Sequence, residues 1–413
     1  MAGGASGELT KDTTLKLTGA RARAAVVDGE LITIDGISQG IQEGTKLTSF
    51  ASITSELGAK DSRAYEVTNE GILDHQGKVN LQGSDEIAVL LTKGGKFVNQ
   101  GSIVVAGNVS DGGKTRAAVD VSGASTNDKS SVFEHLSGNV QLTNGQYGDA
   151  AIRIGDGASL DMSGKNVSED ATIKAGGEAS VILVDTGAKS LTLGANTLSL
   201  LEGGTGAIVE NKAEIEGITI KDTVFEVTDG VAIRTGSKLA KESSGTINIT
   251  GAGTGIVFAN RDSTDRTKFT TTDKDLHVGG IDINIKDSAQ EGATALYIDT
   301  KGKFSSDANI ALKSTKDVTA WKIVNAGSNL ENGGNLSSVS KDAIIDLSSW
   351  IDNASEDGTK HNFTNTGTIT SPEDGVAIRY NGSAEKTINL TNQKAANAQD
   401  DNCLLYTSDA ADE

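Results

Sequence analysis

Four histidines, His75, His135, His277 and His361, are the side chains best suited to hold a transition metal or move a proton near neutral pH. They stand far apart, and none lies at the His-Glu-x-x-His spacing or at another spacing that would converge on one ion. They read as solvent-exposed positions. Carboxylates are plentiful, but neighbours such as Asp85-Glu86 and Asp400-Asp401 point to opposite faces of an extended chain, which denies them a shared proton. Gly251-Ala252-Gly253-Thr254-Gly255 opens like a dinucleotide loop, yet Ile256 follows and no helical pattern comes after it, so it reads as a corner. Gly203-Gly204-Thr205-Gly206 runs on into Ala207 and Ile208 and lacks the aspartate of a calcium-binding nonapeptide. Neither a metal nor a cofactor is implied, and no catalytic residue stands out. Arg234 and Arg379 close two copies of Asp-Gly-Val-Ala-Ile-Arg and read as solvated strand-end residues, with a pair of anion contacts as the alternative.

Composition constrains what could position such groups. Gly fills 50 of 413 positions, roughly 12% against a usual ~7%, while Pro occurs once. With 8 Phe, 5 Tyr and 2 Trp, the interior must be narrow and aliphatic. The net charge of −19 with scattered basic residues excludes a nucleic-acid reader, which needs a basic face. Cys403, the one cysteine, has no partner for a disulfide. From Cys403 to Glu413 the chain resembles a translated sequencing adapter, so the sequence reads as a fragment with a non-native end at 403–413.

A repeat organises the rest. Ala64, Ala88, Ala118, Ala151, Ala179, Ala207 and Ala232 mark six intervals spanning 168 residues, a mean of 28. The next markers, Gly255, Ala295, Ala320 and Ala377, lie 23, 40, 25 and 57 apart, which implies one insertion and one unrecognised repeat near Ile344 to Leu347. Asn69-Glu70-Gly71-Ile72, Asn99-Gln100-Gly101-Ser102-Ile103 and Asn365-Thr366-Gly367-Thr368-Ile369 read as corners, with Asn and Gly supplying left-handed backbone. Short alternating runs such as Ile218-Thr219-Ile220 and Ile281-Asp282-Ile283-Asn284-Ile285 read as half-buried strands. Together these predict an all-β chain folded as a right-handed parallel β-helix, a solenoid of roughly 14 coils. The scarcity of Pro fits, because almost every strand N–H must bond the coil beside it. The expected divisions are 1–14 as an N-terminal segment or cap remnant, 15–392 as the β-helix and 393–402 as a disordered tail.

The Asn-x-Gly-x-Ile corners, the degenerate repeat, the near absence of Pro and the lack of native Cys resemble the passenger region of autotransporter proteins of Gram-negative bacteria. The resemblance is architectural and covers about Leu15 to Asn392. It implies a signal peptide upstream, a membrane-embedded β-barrel downstream and a passenger outside the cell, anchored to the outer membrane only through that barrel. The function so implied is a rigid, non-catalytic stalk or adhesin that displays binding loops to a ligand on a host or neighbouring cell. Its candidate display loop lies in the 40-residue interval between Gly255 and Ala295, with Asp262, Asp265 and Arg266 at the centre. A β-helical polysaccharide lyase or glycoside hydrolase, and a phage tail-fibre or S-layer component, are the alternative readings.

Overall fold

The computed structural model describes residues 6–29, 33–34, 37–38, 45–107, 116–123, 130–261, 269–348, 350, 361–380 and 388–392. The chain is a parallel β-helix: most coils lay down three short strands, which pair in parallel with their equivalents one coil earlier and one coil later, while 236–244 contributes only an isolated bridge between Leu239 and Ile218. Two units divide it, Met1–Ile215 and Glu216–Glu413. In the first unit, the first sheet starts at Ser6–Leu9, the second at Thr14–Leu17 and the third at Arg23–Asp28, and each has seven strands among the described residues. Ser6–Leu9 already pairs with Lys46–Ser49. In the second unit, the sheets that begin at Thr223–Val227 and Val231–Thr235 have six strands each, and the one that begins at Leu276–Val278 has five, ending at Ile388–Asn392.

Register explains the aliphatic composition. Ile53, Val79, Ile103, Val140, Ile173 and Leu198 stand opposite one another in successive coils of the second sheet. In the second unit the same is true of Phe225, Ile247, Ile283, Ile310, Leu336 and Ile369. All twelve are buried. A slip of one residue would carry such a column from the core to solvent, so alternation and stacking fix each other. Phe97 and Phe133 continue the pattern in the first sheet, paired in register and stacked with centroids 5.1 Å apart. Pro372 lies in the connection 371–377, outside every strand.

The small-residue marker has a cause. The third-sheet strand Arg63–Thr68 buries Ala64 and Tyr65 in succession, with Arg63 and Glu66 only half-buried and ion-paired at 3.3 Å on its outer side. A regular pleat cannot turn two neighbours inward, so the strand bends there, and a small or branched aliphatic residue fills the inside of the bend. Ala64, Ala88, Ala118 and Ala151 share that position. Val181 and Ile208 take it in the next two coils, so the markers Ala179 and Ala207 had slipped from it. In the second unit the position passes through Ala232, Gly255, Ala295, Ala320, Ile344 and Ala377. Ile344 is thus the repeat hidden in the 57-residue interval, and the 40 residues between Gly255 and Ala295 contain an insertion: Asn260–Arg261 pairs antiparallel with Phe269–Thr270.

Candidate functional site

The candidate display residues Asp262, Asp265 and Arg266 lie outside the described residues, as does Cys403. The other expectations meet several corrections. His75, His135 and His361 are 0%, 1% and 8% exposed, and His277 is half-buried, so the histidines are not solvated positions. Arg234 is 4% exposed inside Val231–Thr235 and is not a solvated strand end, whereas Arg379 is exposed and sits 3.7 Å from Asp346. Asp85 and Glu86 do not straddle a strand; both are buried at a corner, with Asp85 in left-handed backbone at φ 55°. Residues 250–253 form a corner between Gly245–Ile249 and Thr254–Phe258.

Polar side chains are gathered inside, at two places that recur from coil to coil. One is the last residue of four consecutive first-sheet strands. Ser49, His75, Asn99 and His135 follow one another in register, all buried. The Tyr65 hydroxyl lies 2.6 Å from Ser49 Oγ and 3.3 Å from His75 Nδ1. Asn99 Nδ2 donates to His135 Nδ1 at 3.0 Å and to the Gly101 carbonyl at 3.2 Å, and His135 Nε2 donates to the Thr172 carbonyl at 3.1 Å. The second unit has Ser306, Asn332, Asn365 and Asn392 in register. There Asn332 Nδ2 donates to Asn365 Oδ1 at 2.7 Å and Asn365 Nδ2 to Asn392 Oδ1 at 2.9 Å. Asn332 and Asn365 each also donate to the carbonyl of the glycine two residues on, Gly334 at 3.0 Å and Gly367 at 2.9 Å. The side chain thereby closes the tight corner that follows, in the manner of a turn built by an amide.

This corrects the left-handed corner. Asn69 and Glu70 have φ of 49° and 61°, but neither Asn99, Gly101, Asn365 nor Gly367 has a positive φ. The glycines there answer to close approach instead. A Cβ on Gly101 would overlap the Gly77 carbonyl oxygen, and one on Gly367 that of Gly334, whereas Gly138 combines such an approach, to the Gly101 carbonyl, with a φ of 80°.

The second place is the residue just before four consecutive third-sheet strands: Ser62, Glu86, Arg116 and Asp149, all buried. Arg116 Nη2 and Nε lie 3.1 and 3.3 Å from Asp149 Oδ2, and Nη2 also donates to the Asn144 carbonyl at 3.0 Å. Asp149 accepts the backbone N–H of Arg116 at 2.8 Å and of Gln146 at 2.9 Å. Glu86 Oε2 accepts from Ser55 Oγ at 2.8 Å and from the Gly83 N–H at 2.6 Å, while Oε1 has no hydrogen-bond partner. Burial pushes the Glu86 carboxyl above its ordinary 4.5, partly offset by those two donors. A carboxyl raised in the folded state stabilises the fold below its unfolded value and loses that contribution as pH rises through the folded one. Glu86→Gln is therefore expected to melt above the parent at neutral pH, with the difference vanishing below about pH 4.5. Thermal scans of both proteins at the two pH values check this; a lower melting temperature for the variant at neutral pH would contradict it.

No group of three or more metal-binding side chains converges among the described residues. What the arrangement does is structural chemistry: it satisfies buried polar groups along a narrow core. No family model matches the chain, and no curated protein or solved structure is detectably similar to it.

Proposed function

We propose that this chain is a non-catalytic surface rod of the autotransporter-passenger type, whose coils carry binding loops at one corner. The supporting observation is where the chain is long. In the first unit the longest connection is 29–45, and in the second the two longest are 259–275 and 347–360; all run from the third sheet to the first. Equivalent connections elsewhere run from 69–71 and 326–328 at the shortest to 380–387 and 122–130 at the longest. The other two corners hold 106–116 and 162–171 at most.

A coil is fixed by its strands, so a corner can lengthen at little thermodynamic expense, since closure entropy grows only with the logarithm of loop length. Insertions repeated at one corner of a solenoid line up on one side of their unit, the usual placement of a binding surface. Asp262, Asp265 and Arg266 belong to 259–275 and are the displayed polar residues of this reading. The test is to read the coding sequence past position 402. A continuation into alternating strands of about ten residues, a membrane β-barrel, is the expected result. A stop codon followed by no barrel, or a cell-wall anchor, would remove the autotransporter assignment and favour the phage or S-layer reading.

A further inference from the structure

The two polar ladders close the same kind of corner with different chemistry. In the second unit the buried members are Ser306, Asn332 and Asn365, which carry no titratable proton near neutral pH. In the first unit two of the four members are imidazoles. We propose that His75 and His135 make their ladder an acid-sensitive lock: protonating them loosens the coils between Lys46 and Leu142, while the coils held by Asn332 stay closed.

The geometry fixes the neutral form. Asn99 Oδ1 faces the Gly101 N–H at 3.4 Å, so its Nδ2 is the edge presented to His135. His135 Nδ1 must then be an acceptor, with the proton on Nε2 for the Thr172 carbonyl. A second proton would set N–H against N–H. Turning the Asn99 amide over would relieve this but would place Oδ1 against the Gly101 carbonyl, opening the corner that the amide closes. The groups facing His135 are Asn99, the Phe133 ring at 6.0 Å, the carbonyl of Thr172 and the backbone of Gly138. Among the described residues the charge acting on it is that of exposed Asp170, which favours protonation. His75 is enclosed by Ser49, Asn99, Tyr65 and the backbone of Ser102, without a carboxylate among them. Its Nε2 has no hydrogen-bond partner.

Burial holds both imidazoles down to about 4, against an ordinary 6.5. A group lowered in the folded state stabilises it fully above 6.5 and loses that contribution as pH falls toward 4. Between about pH 7.5 and pH 5, each imidazole shifts opening about 30-fold, and the two together about 10³-fold. His277, half-buried with Nε2 3.6 Å from Asp307, is also lowered by burial, but it reaches solvent and a carboxylate without opening anything. His361, also buried, packs edge-on to Trp350 at the start of His361–Asn365, the strand that pairs with Asn329–Asn332, so Thr319–Asn325 is the reference strand.

Hydrogen exchange read by mass spectrometry on the whole chain tests the lock, with exchange times scaled for the intrinsic rate at each pH. On going from about pH 7.5 to 5, Ile72–His75, Lys96–Asn99 and Ser131–His135 are expected to exchange about 10³-fold faster, and Thr319–Asn325 to be unchanged. His75→Asn with His135→Asn puts the second unit's ladder chemistry into the first, and should keep protection at neutral pH and abolish the acid response. Equal acceleration in both regions, or an undiminished response in the double variant, overturns the proposal. Should the variant not fold, the parent labelled with ¹³C-histidine decides: two imidazoles that titrate only as protection is lost support the lock, and two that titrate near 6.5 with protection intact refute it.

Discussion

Asp149→Ala is expected to remove about 3 to 5 kcal/mol of stability, the penalty for stranding a buried charge. Arg116 has a relative exposure of 0%, and Asp149 is the carboxylate its guanidinium meets. Asp149 supplies two of its three hydrogen bonds, and the third goes to a single carbonyl, that of Asn144. Nη1 already has no partner. The converse change is milder. In Arg116→Leu the carboxylate loses its counter-charge but keeps two backbone donors, the N–H of Gln146 and the N–H of residue 116 itself. Removing both charges, with Arg116→Leu and Asp149→Asn together, should recover much of the loss, because desolvating two ions opposes most of what their attraction returns and the amide oxygen remains an acceptor for the backbone N–H groups.

Solenoids do not unfold as one unit, so a single midpoint under-reports such changes. Hydrogen exchange at Ala117–Val121 and Ala150–Ile154, which the two residues precede, is the direct measure. Equal losses in Asp149→Ala and Arg116→Leu would show that the asymmetry is wrong.

The architecture was legible in the sequence because stacking makes every coil repeat the same demands. Small residues at the third-sheet bend, alternating Ile runs and the want of Pro all follow from strands that pair on both edges. What failed were inferences from residue type alone. Histidine is mostly found at surfaces, yet His75 and His135 occupy a column that needs a side chain able to accept or donate toward the next coil. The signal for that column was present as a polar residue followed two or three positions later by a small one: Ser49 and Ala51, His75 and Gly77, Asn99 and Gly101, His135 and Gly138, Asn332 and Gly334, Asn365 and Gly367. Three copies were visible as Asn-x-Gly, but one of them, Asn69 to Gly71, belongs to a different corner with left-handed backbone. Tertiary register, not local spelling, separates the two. The buried charges were less accessible still. Glu86, Arg116 and Asp149 recur at intervals of 30 and 33, and nothing in the chain around them announces that the corner faces inward.

Gly367→Ala is expected to cost about 3 kcal/mol or more, at the upper end of what overpacking does, for a reason particular to stacked coils. An added Cβ would overlap the carbonyl oxygen of Gly334 and stand 2.8 Å from that of Gly333. These are backbone atoms of the preceding coil, so no rotamer change can make room. Moving the coils apart is no remedy either, because strand separation is set by ladder hydrogen bonds at about 4.8 Å. The same corner is closed by Asn365 Nδ2 on the Gly367 carbonyl and by Asn332 Nδ2 on the Gly334 carbonyl. A wedge there therefore breaks two links of the buried amide ladder along with its own turn. Gly58→Ala is the matched control: that Cβ would meet nothing within 4 Å, and its φ is not positive, so the change should be neutral or slightly stabilising through the unfolded chain. Urea unfolding followed by circular dichroism, with hydrogen exchange at His361–Asn365, separates the two. Comparable stability for both variants would mean that the glycine column reflects turn preference alone and that the coils have slack at this corner. A large loss confined to Gly367→Ala would show that the spacing of the coils, more than the conformation of the turn, selects glycine where the polar ladder ends.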